Sequence, residues 1–426
     1  MQGFSEPLWA DGVPRPAYHE PIAARESCDL LIVGGGFMGL NAARHAARAG
    51  LSVRVLDARR IGEGASGLNG GQVIPGIKFN PDWILEHFGD EQGARLNAFS
   101  EATADVLFDT IEDEKLDVPF ERNGWIQACH TETAMDNAAG RYKQWAARGA
   151  NVAMLDSTEI SRMVGSSNYF GGFYDKRAGI VQPLAFTMEL ARIAREAGAQ
   201  ISENTTCTAL RKQDGQWTAM TSGGAEIRAR NVILATNAYT DNLVPGLAQT
   251  LVPLHSFQVA TSVLPDALQR TILPGKQAVS DSRRIVIYYR KSPDGRLVLG
   301  GRGRMSLPQS EADWAHLEHG LTRIFPALGN IEIEKRWFGR VAMTADGLPH
   351  IHEPEKGLLT LVGCQGRGVA MMTAMAKHFV DYILSGDSKH LPFPVSPIRP
   401  IPFHGFRQIG VAATIAWYRM LDAVER

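Results

Sequence analysis

The chain has 426 residues, a mass of 46.5 kDa and a net charge of −1 from 44 basic and 45 acidic side chains. At ~150 residues per domain, that is length for two or three compact units with a sizeable core. Near-neutrality argues against a chain that lives on nucleic-acid phosphates, and 44% hydrophobic against 21% charged residues excludes disorder for the bulk of it.

Residues 1–27 hold Pro and charge without a period and read as an extended arm. Met1 to Trp9 has neither the basic region nor the apolar stretch of a signal peptide. Asp29-Leu30-Leu31-Ile32-Val33 is a continuous apolar run, as in a strand buried on both faces of a parallel sheet. Glycines break it at 34–36, helix formers follow from Phe37 to Ala49, and Leu51 to Leu56 is the next strand, ending at Asp57. That is a βαβ unit of ~30 residues. Residues 81–165 read as helical with loops, and Pro183 to Ala197 as a helix stopped by Gly198. Short strand-like pieces from Ile201 to Asn231 suggest an antiparallel meander, and Asn231 to Ala235 a buried strand. Residues 252–304 look strand-rich, 309–325 helical. Gly357 to Val362 is a last buried strand before a glycine turn and a helix through Leu384. The tail from Ser396 is Pro-rich and ends in an amphipathic helix from about Val411. No run of ~18 apolar residues exists, so no membrane span is expected. Cys28, Cys129, Cys207 and Cys364 lie far apart, which suits reduced thiols in the cytoplasm.

Glycine is 43 of 426 residues, about a tenth against a usual ~7%, and the excess is clustered. Gly34-Gly35-Gly36-Phe37-Met38-Gly39 is a GxGxxG between strand and helix. Its glycines suit a tight turn, close approach of a pyrophosphate, and helix–strand packing. Asp57, 18 residues beyond Gly39, suits a ribose hydroxyl. Together they predict dinucleotide binding, with FAD or NAD(H) preferred over NADP by the unpaired acid. The run Ile61 to Gln72 holds five glycines and fits neither a helix nor an ordinary strand. It reads either as a surface loop or as bare backbone passing a flat cofactor. Gly363 to Val369 is a second strand–glycine–helix junction. It reads as an ordinary βα turn or as a helix N-terminus facing an electron-rich flavin edge. His350 and His352 alternate, but no third ligand accompanies them and no metal site is expected.

Taken in order, Cys28 to Gly36, Ile61 to Gln72, Ala235 to Tyr239, Arg336 to Gly339, Asp346 to His350 and Gly363 to Gly368 resemble the D-amino-acid oxidase superfamily of FAD-dependent amine and amino-acid oxidoreductases, over essentially the whole chain. The resemblance implies an α/β fold: a glutathione-reductase-like FAD domain (Rossmann-type) interleaved with a substrate domain of antiparallel sheet and helices. The boundaries expected are 1–80, 151–240 and 331–395 for the FAD domain, 81–150 and 241–330 for the substrate domain, and 396–426 for the tail.

The same resemblance implies a site. Gly34, Gly36, Phe37 and Met38 would meet the pyrophosphate, and Asp57, with Ala58 and Arg59 after it, the ribose end. Ala65, Ser66, Asn69, Gly70, Gly71 and Gln72 would follow the isoalloxazine, and Cys207 the adenine. Ala235 and Thr236 would close that side, and Gly366, Arg367, Gly368 and Val369 would face the flavin pyrimidine. His255, Tyr288 and Trp337 are candidates for the substrate face. Relatives often have Glu at the position of Asp57 and His at that of Arg367. Relatives with covalent flavin carry a Cys where this chain has Val341 to Thr344, so noncovalent FAD is expected. Sarcosine-oxidase-like relatives hold the substrate carboxylate with a Lys where this chain has Ala370.

The implied reaction is oxidation of a C–N bond by hydride transfer to flavin. The imine then hydrolyses and electrons pass to O2 or another acceptor. Ala370 favours an amine with a remote polar tail, such as a gamma-glutamyl amide of a diamine. A D-amino-acid or N-methyl amino-acid dehydrogenase is the alternative, and a nucleic-acid-modifying or redox-sensing flavoprotein is the alternative of another class. Small-molecule amine and electron acceptor are the partners expected, with no nucleic acid; the oligomeric state is left open.

Overall fold

Leu30 and Ile32 enter one core and Leu31 and Val33 another, so their strand, Arg25–Val33, is buried on both faces. Leu30 to Val33 pairs in parallel with Val53–Leu56 on one edge and with Asn231 to Leu234 on the other. The first sheet runs in the order Cys207–Gln213, Gln216–Thr221, Glu226–Leu234, Arg25–Val33, Val53–Leu56, Gln200–Ser202. The first three form the expected antiparallel meander. Leu358–Val362 extends the sheet in parallel beside the far end of Glu226–Leu234 and carries His350–His352 antiparallel to it. The computed structural model describes residues 6–424; Met1 to Ser5 of the expected arm lie outside the described residues.

Helix Phe37–Arg48 packs between helices Pro183–Glu196 and Gly368–Ser385. The buried Asn41 amide donates to Thr373 O at 2.8 Å. Two glycines permit this layer. Gly34 has φ +109°, where a side chain is strained, and a Cβ on it would lie 3.0 Å from Ala235 O. A Cβ on Gly39 would lie 1.9 Å from Gly34 O, so nothing larger fits where the helix leaves the strand.

A second eight-stranded sheet has the order Ile333–Met343, Val252–Val263, Arg296–Arg302, Ile287–Lys291, Ala278–Asp281, Trp125–Cys129, Gly171–Asp175, Val152–Leu155. All its pairings are antiparallel except Ala278–Asp281 with Trp125–Cys129. Its core includes Phe257 stacked on Trp314 at 4.5 Å. A three-stranded ladder of Gln72–Val73, Gly179–Val181 and Phe120–Glu121 lies beside it in sequence and joins the glycine-rich run to the strands before helix 183–196.

The structure changes the sequence reading in four places. Residues 81–165 are not helix and loop alone. Trp125–Cys129 and Val152–Leu155 are strands of the second sheet, short pieces outvoted by the periodicity of helices Asp90–Asp113 and Glu132–Ala147. Strands at 152–155, 171–175 and 333–343 pair in the second sheet, not in the first, where the expected boundaries put them. The Ile61 to Gln72 run does contain a helical turn, Ala65–Leu68. The arm is not merely extended. Leu8–Ala10 forms a 3-10 turn, and Trp9 and Tyr18 are buried.

Candidate functional site: a cofactor cleft faced by a second sheet

A cleft of about 520 Å³ opens at the carboxyl ends of the first sheet's parallel strands, where ligands of such sheets bind. Gly34 and Gly36 to Met38 form its floor, Asp57 to Arg59 one end, Ala65, Ser66 and Asn69 one wall, and Gly366, Gly368 and Val369 another. Cys207, Ala235 and Thr236 also border it. Segments far apart in sequence thus converge, because each follows the end of a strand or opens a helix.

Gly36 caps helix Phe37–Arg48, so the first helical turn presents N–H groups and the positive dipole end to the cleft. A Cβ on Gly36 would come 2.8 Å from Ser66 Oγ. The space the helix end needs for an anion exists only with glycine there. Asp57 turns back on the turn: Oδ2 accepts from Gly35 N at 2.8 Å and Oδ1 from Arg59 N at 2.9 Å. Burial pushes its carboxyl above the ordinary value, opposed by those two N–H groups. Two guanidiniums lie over the Tyr239 ring, Arg59 at 4.8 Å and Arg340 at 5.2 Å from its centroid. These residues fit a dinucleotide: a bare helix N-terminus, an acid for ribose and cations for phosphate.

Other expected residues lie elsewhere. Gly70, Gly71, Gln72 and Arg367 do not border the cleft. Gly70 backs onto Tyr288, where a Cβ would meet Cε2 at 2.6 Å, and Gly71 onto Arg290. Gln72 donates to Val279 O and Tyr289 O, tying the run to the second sheet. Arg367 points from its turn toward that sheet: Nη1 donates to Pro75 O at 3.1 Å and the guanidinium lies 5.3 Å from the Trp125 ring centroid.

The three substrate-face candidates are all on the second sheet, and none borders the cleft. Tyr288 and Trp337 spend their polar atoms on structure, and His255 one of its ring nitrogens. Tyr288 OH pairs with Ser256 Oγ at 2.8 Å. Trp337 Nε1 donates to Leu68 O at 3.0 Å. His255 Nδ1 lies 2.9 Å from Arg304 O, and burial lowers the pKa of its imidazole. His350 Nε2 meets Asp346, and His352 Nδ1 meets Ser396 O.

Sequence reasoning missed Thr205, Thr206, Asn237, Tyr239, Arg340, Cys364 and Met372 on the cleft wall. Asn237, Tyr239 and Cys364 fell inside quoted motifs. Nothing in the order of residues marked Arg340, which needs the second sheet to reach the first.

A dinucleotide-binding layer with a second, mainly antiparallel sheet set against its glycine-rich run defines a flavin-type oxidoreductase fold. The chain belongs to the family described as FAD dependent oxidoreductase, whose model matches residues 29–382. It is 32% identical over 418 residues to the probable oxidoreductase OrdL of Rhizobium meliloti (strain 1021), across 96% of this chain and 95% of that one. It is 28% identical over 407 residues to gamma-glutamylputrescine oxidoreductase of Escherichia coli (strain K12), across 93% of each. In fold it is similar to glycine oxidase from Geobacillus kaustophilus, with TM-score 0.73 at 21% identity over 88% of this chain and 99% of that one. The protein is an FAD-dependent oxidoreductase. No helix among the described residues is long and apolar enough to cross a membrane.

Proposed function

We propose that this enzyme oxidises the C–N bond of a primary or secondary amine, releasing an aldehyde or ketone once the imine product meets water. The observation that carries the reading is the seating of the second sheet on the glycine-rich run. Gln258 Nε2 and Trp337 Nε1 both donate to Leu68 O, at 2.6 and 3.0 Å, while Trp9 Nε1 donates to Asn69 O at 2.8 Å. FAD, when bound, supplies the two-electron acceptor for the hydride. Gly34 to Met38 and Asp57 to Arg59 would hold its phosphates and ribose, and the run from Ala65 would lie along its ring system.

The chain's own contribution is orientation and exclusion of water. Tyr288 sets its ring against Gly70 and Trp337 is buried beside Leu68, and their polar atoms are already bonded. His255 is held by two carbonyls and disfavours a proton. The reading needs no protein base: the amine enters neutral and its alignment lowers the barrier. A cytoplasmic setting belongs to this reading, supported by four unpaired thiols.

A second reading, oxidation of an amino acid or N-methyl amino acid, is favoured by the inward turn of Arg367, which returns a cation to the neighbourhood where Ala370 lacks one. Anaerobic bleaching of the flavin tests both. Gamma-glutamylputrescine, other polyamine derivatives, D-amino acids and sarcosine would be mixed separately with holoenzyme. Reduction by amines with a remote tail supports the first reading, and reduction by amino acids alone supports the second. Bleaching by none of them removes C–N oxidation.

A further inference from the structure

A second cavity, of about 500 Å³, shares no lining residue with the cofactor cleft. Four pieces of chain enclose it: the arm from Leu8 to Tyr18, loop 117–119, one face of helix Pro183–Glu196, and the turn 292–294 between two strands of the second sheet. The helix presents Ala185, Met188, Glu189 and Arg192, spaced three and four apart as one face requires. The arm is fixed in place. Gln182 Nε2 donates to Trp9 O at 2.8 Å, and Trp9 Nε1 to Asn69 O at 2.8 Å. Further along, Glu203 N donates to Tyr18 O at 2.9 Å, and Tyr18 N to Glu203 Oε2 at 3.1 Å.

The inside of this cavity is apolar and its rim acidic. Leu8, Trp9, Tyr18 and Met188 are buried, whereas Asp11, Asp117 and Asp294 are exposed. With Glu189 they make four carboxylates, against one lining cation, Arg192. Arg192 is itself shared between Glu189 and Glu196. Asp11 meets Lys335, and Asp294 meets Arg296. Asp117 is left over. Its backbone N donates to Glu189 Oε2 at 3.2 Å, but its carboxylate has no partner among the described residues.

Tyr18 supplies an independent sign of a ligand. The residue is 3% exposed, yet its hydroxyl has no hydrogen-bond partner among the described residues. Leaving such a group unpaired costs free energy that a ligand would recover. Burial raises the hydroxyl to about 12, so it stays neutral and can accept from an N–H. Glu189 is among the charges that act on it and also holds Asp117, so hydroxyl and acids gather at one end. A bare metal ion does not suit the place. No group of three or more His, Cys, Asp or Glu among the described residues could hold one, and apolar walls of this size suit an organic body.

We propose that this cavity is a second ligand site, for an organic ammonium: a protonated amine whose apolar body lies against Leu8, Trp9 and Met188, whose N–H reaches the Tyr18 hydroxyl, and whose charge is balanced by Asp117 and Glu189. The site stands apart from the flavin, with Trp9 between it and Asn69 of the cleft wall. It does not depend on the proposed C–N oxidation.

Cumylamine is a suitable probe, because the carbon bearing its nitrogen has no hydrogen and a flavin cannot oxidise it. Holoenzyme would be titrated by calorimetry with cumylamine and with cumyl alcohol, its neutral counterpart. The amine should bind, the alcohol roughly tenfold or more weakly, and added salt should weaken the amine. Tyr18→Phe should lower the amine's affinity roughly tenfold. Asp117→Asn should lower it a few-fold and flatten the salt dependence. Both variants should keep wild-type FAD content, since neither group removed has a partner in the protein. Asp117 is exposed, so its variant tests the site even if Tyr18→Phe folds poorly. Asp136→Asn, an exposed acid on helix Glu132–Ala147, should change nothing. No binding, equal binding of amine and alcohol, unaltered affinity in Tyr18→Phe or in Asp117→Asn, or an equal loss in Asp136→Asn overturns the proposal. No turnover enters this test, so its failure leaves the proposed oxidation standing, and a flavin that no amine bleaches leaves this site standing.

Discussion

Ser66 Oγ accepts a 3.0 Å hydrogen bond from the backbone N–H of Phe37, the first residue of the helix that opens the cofactor cleft. A serine in the second glycine-rich segment thereby caps a helix begun by the first, so the two segments form one cradle. Gly36 lies between them, and its missing Cβ is what keeps Ser66 Oγ in place.

Gly36→Val should therefore push Ser66 off the helix end and fill the phosphate space. Purified protein should be colourless. Its Tm should fall to that of wild-type apoprotein or below, because bound cofactor stabilises by mass action. Absorbance of the purified variant and a thermal melt check this. Full FAD occupancy would remove the cradle from the binding of the pyrophosphate.

Trp337→Phe isolates the bond to Leu68 O. Phe keeps the edge-on packing with Trp9, whose ring centroid is 5.8 Å away, but loses Nε1. Gln258 still donates to the same carbonyl. The expected cost is about 1 kcal/mol, the net worth of one buried hydrogen bond. FAD retention on dilution should weaken while the fold persists. A variant that melts as wild type and holds FAD equally well would show that Leu68 O needs only Gln258.

The first sheet's cofactor half was legible because its signals are local. Strand, GxGxxG, helix and Asp57 follow one another within ~30 residues, and the cleft has them in place. The second sheet was legible only in pieces. Trp125–Cys129 pairs with Ala278–Asp281, more than a hundred residues on, and no periodicity in a five-residue strand encodes that partner. The candidates Tyr288 and Trp337 face the right segment, but as supports. A sequence shows that an aromatic is present, not that its polar atom is spent on Ser256 or Leu68. Arg367 illustrates the same limit. Its place between two glycines was plain, but its direction depends on Pro75 and Trp125.

His45 predicts an acid weakness. Burial, with Arg44, Lys377 and Arg48 nearby, lowers its pKa from 6.5 to about 4. The unfolded chain then binds more protons than the folded one between those values, so stability falls as pH drops from 6.5 towards 4. The loss from this one group is at most about 3 kcal/mol, less in practice because the ring is partly exposed. His45→Gln should melt near wild type at pH 7.5 and above it at pH 5. Parallel melting curves at both pH values would show that His45 takes up its proton without cost in the folded state.

Two cysteines border the cleft, so the attachment of FAD has a specific test. Cys364 Sγ accepts from Asn237 Nδ2 at 3.2 Å, and burial pushes the Cys207 thiol up to about 11. A thiol must ionise to become a nucleophile, which Cys207 resists at neutral pH. Val341 to Thr344, the stretch where covalent relatives were expected to carry a cysteine, contains none. Acid precipitation should therefore leave a colourless pellet and a yellow supernatant whose flavin runs as FAD. Colour retained in the pellet would overturn noncovalent binding. Cys364→Ser would then identify the link: if it freed the flavin, the bond ran through Cys364, and if colour stayed, through another side chain.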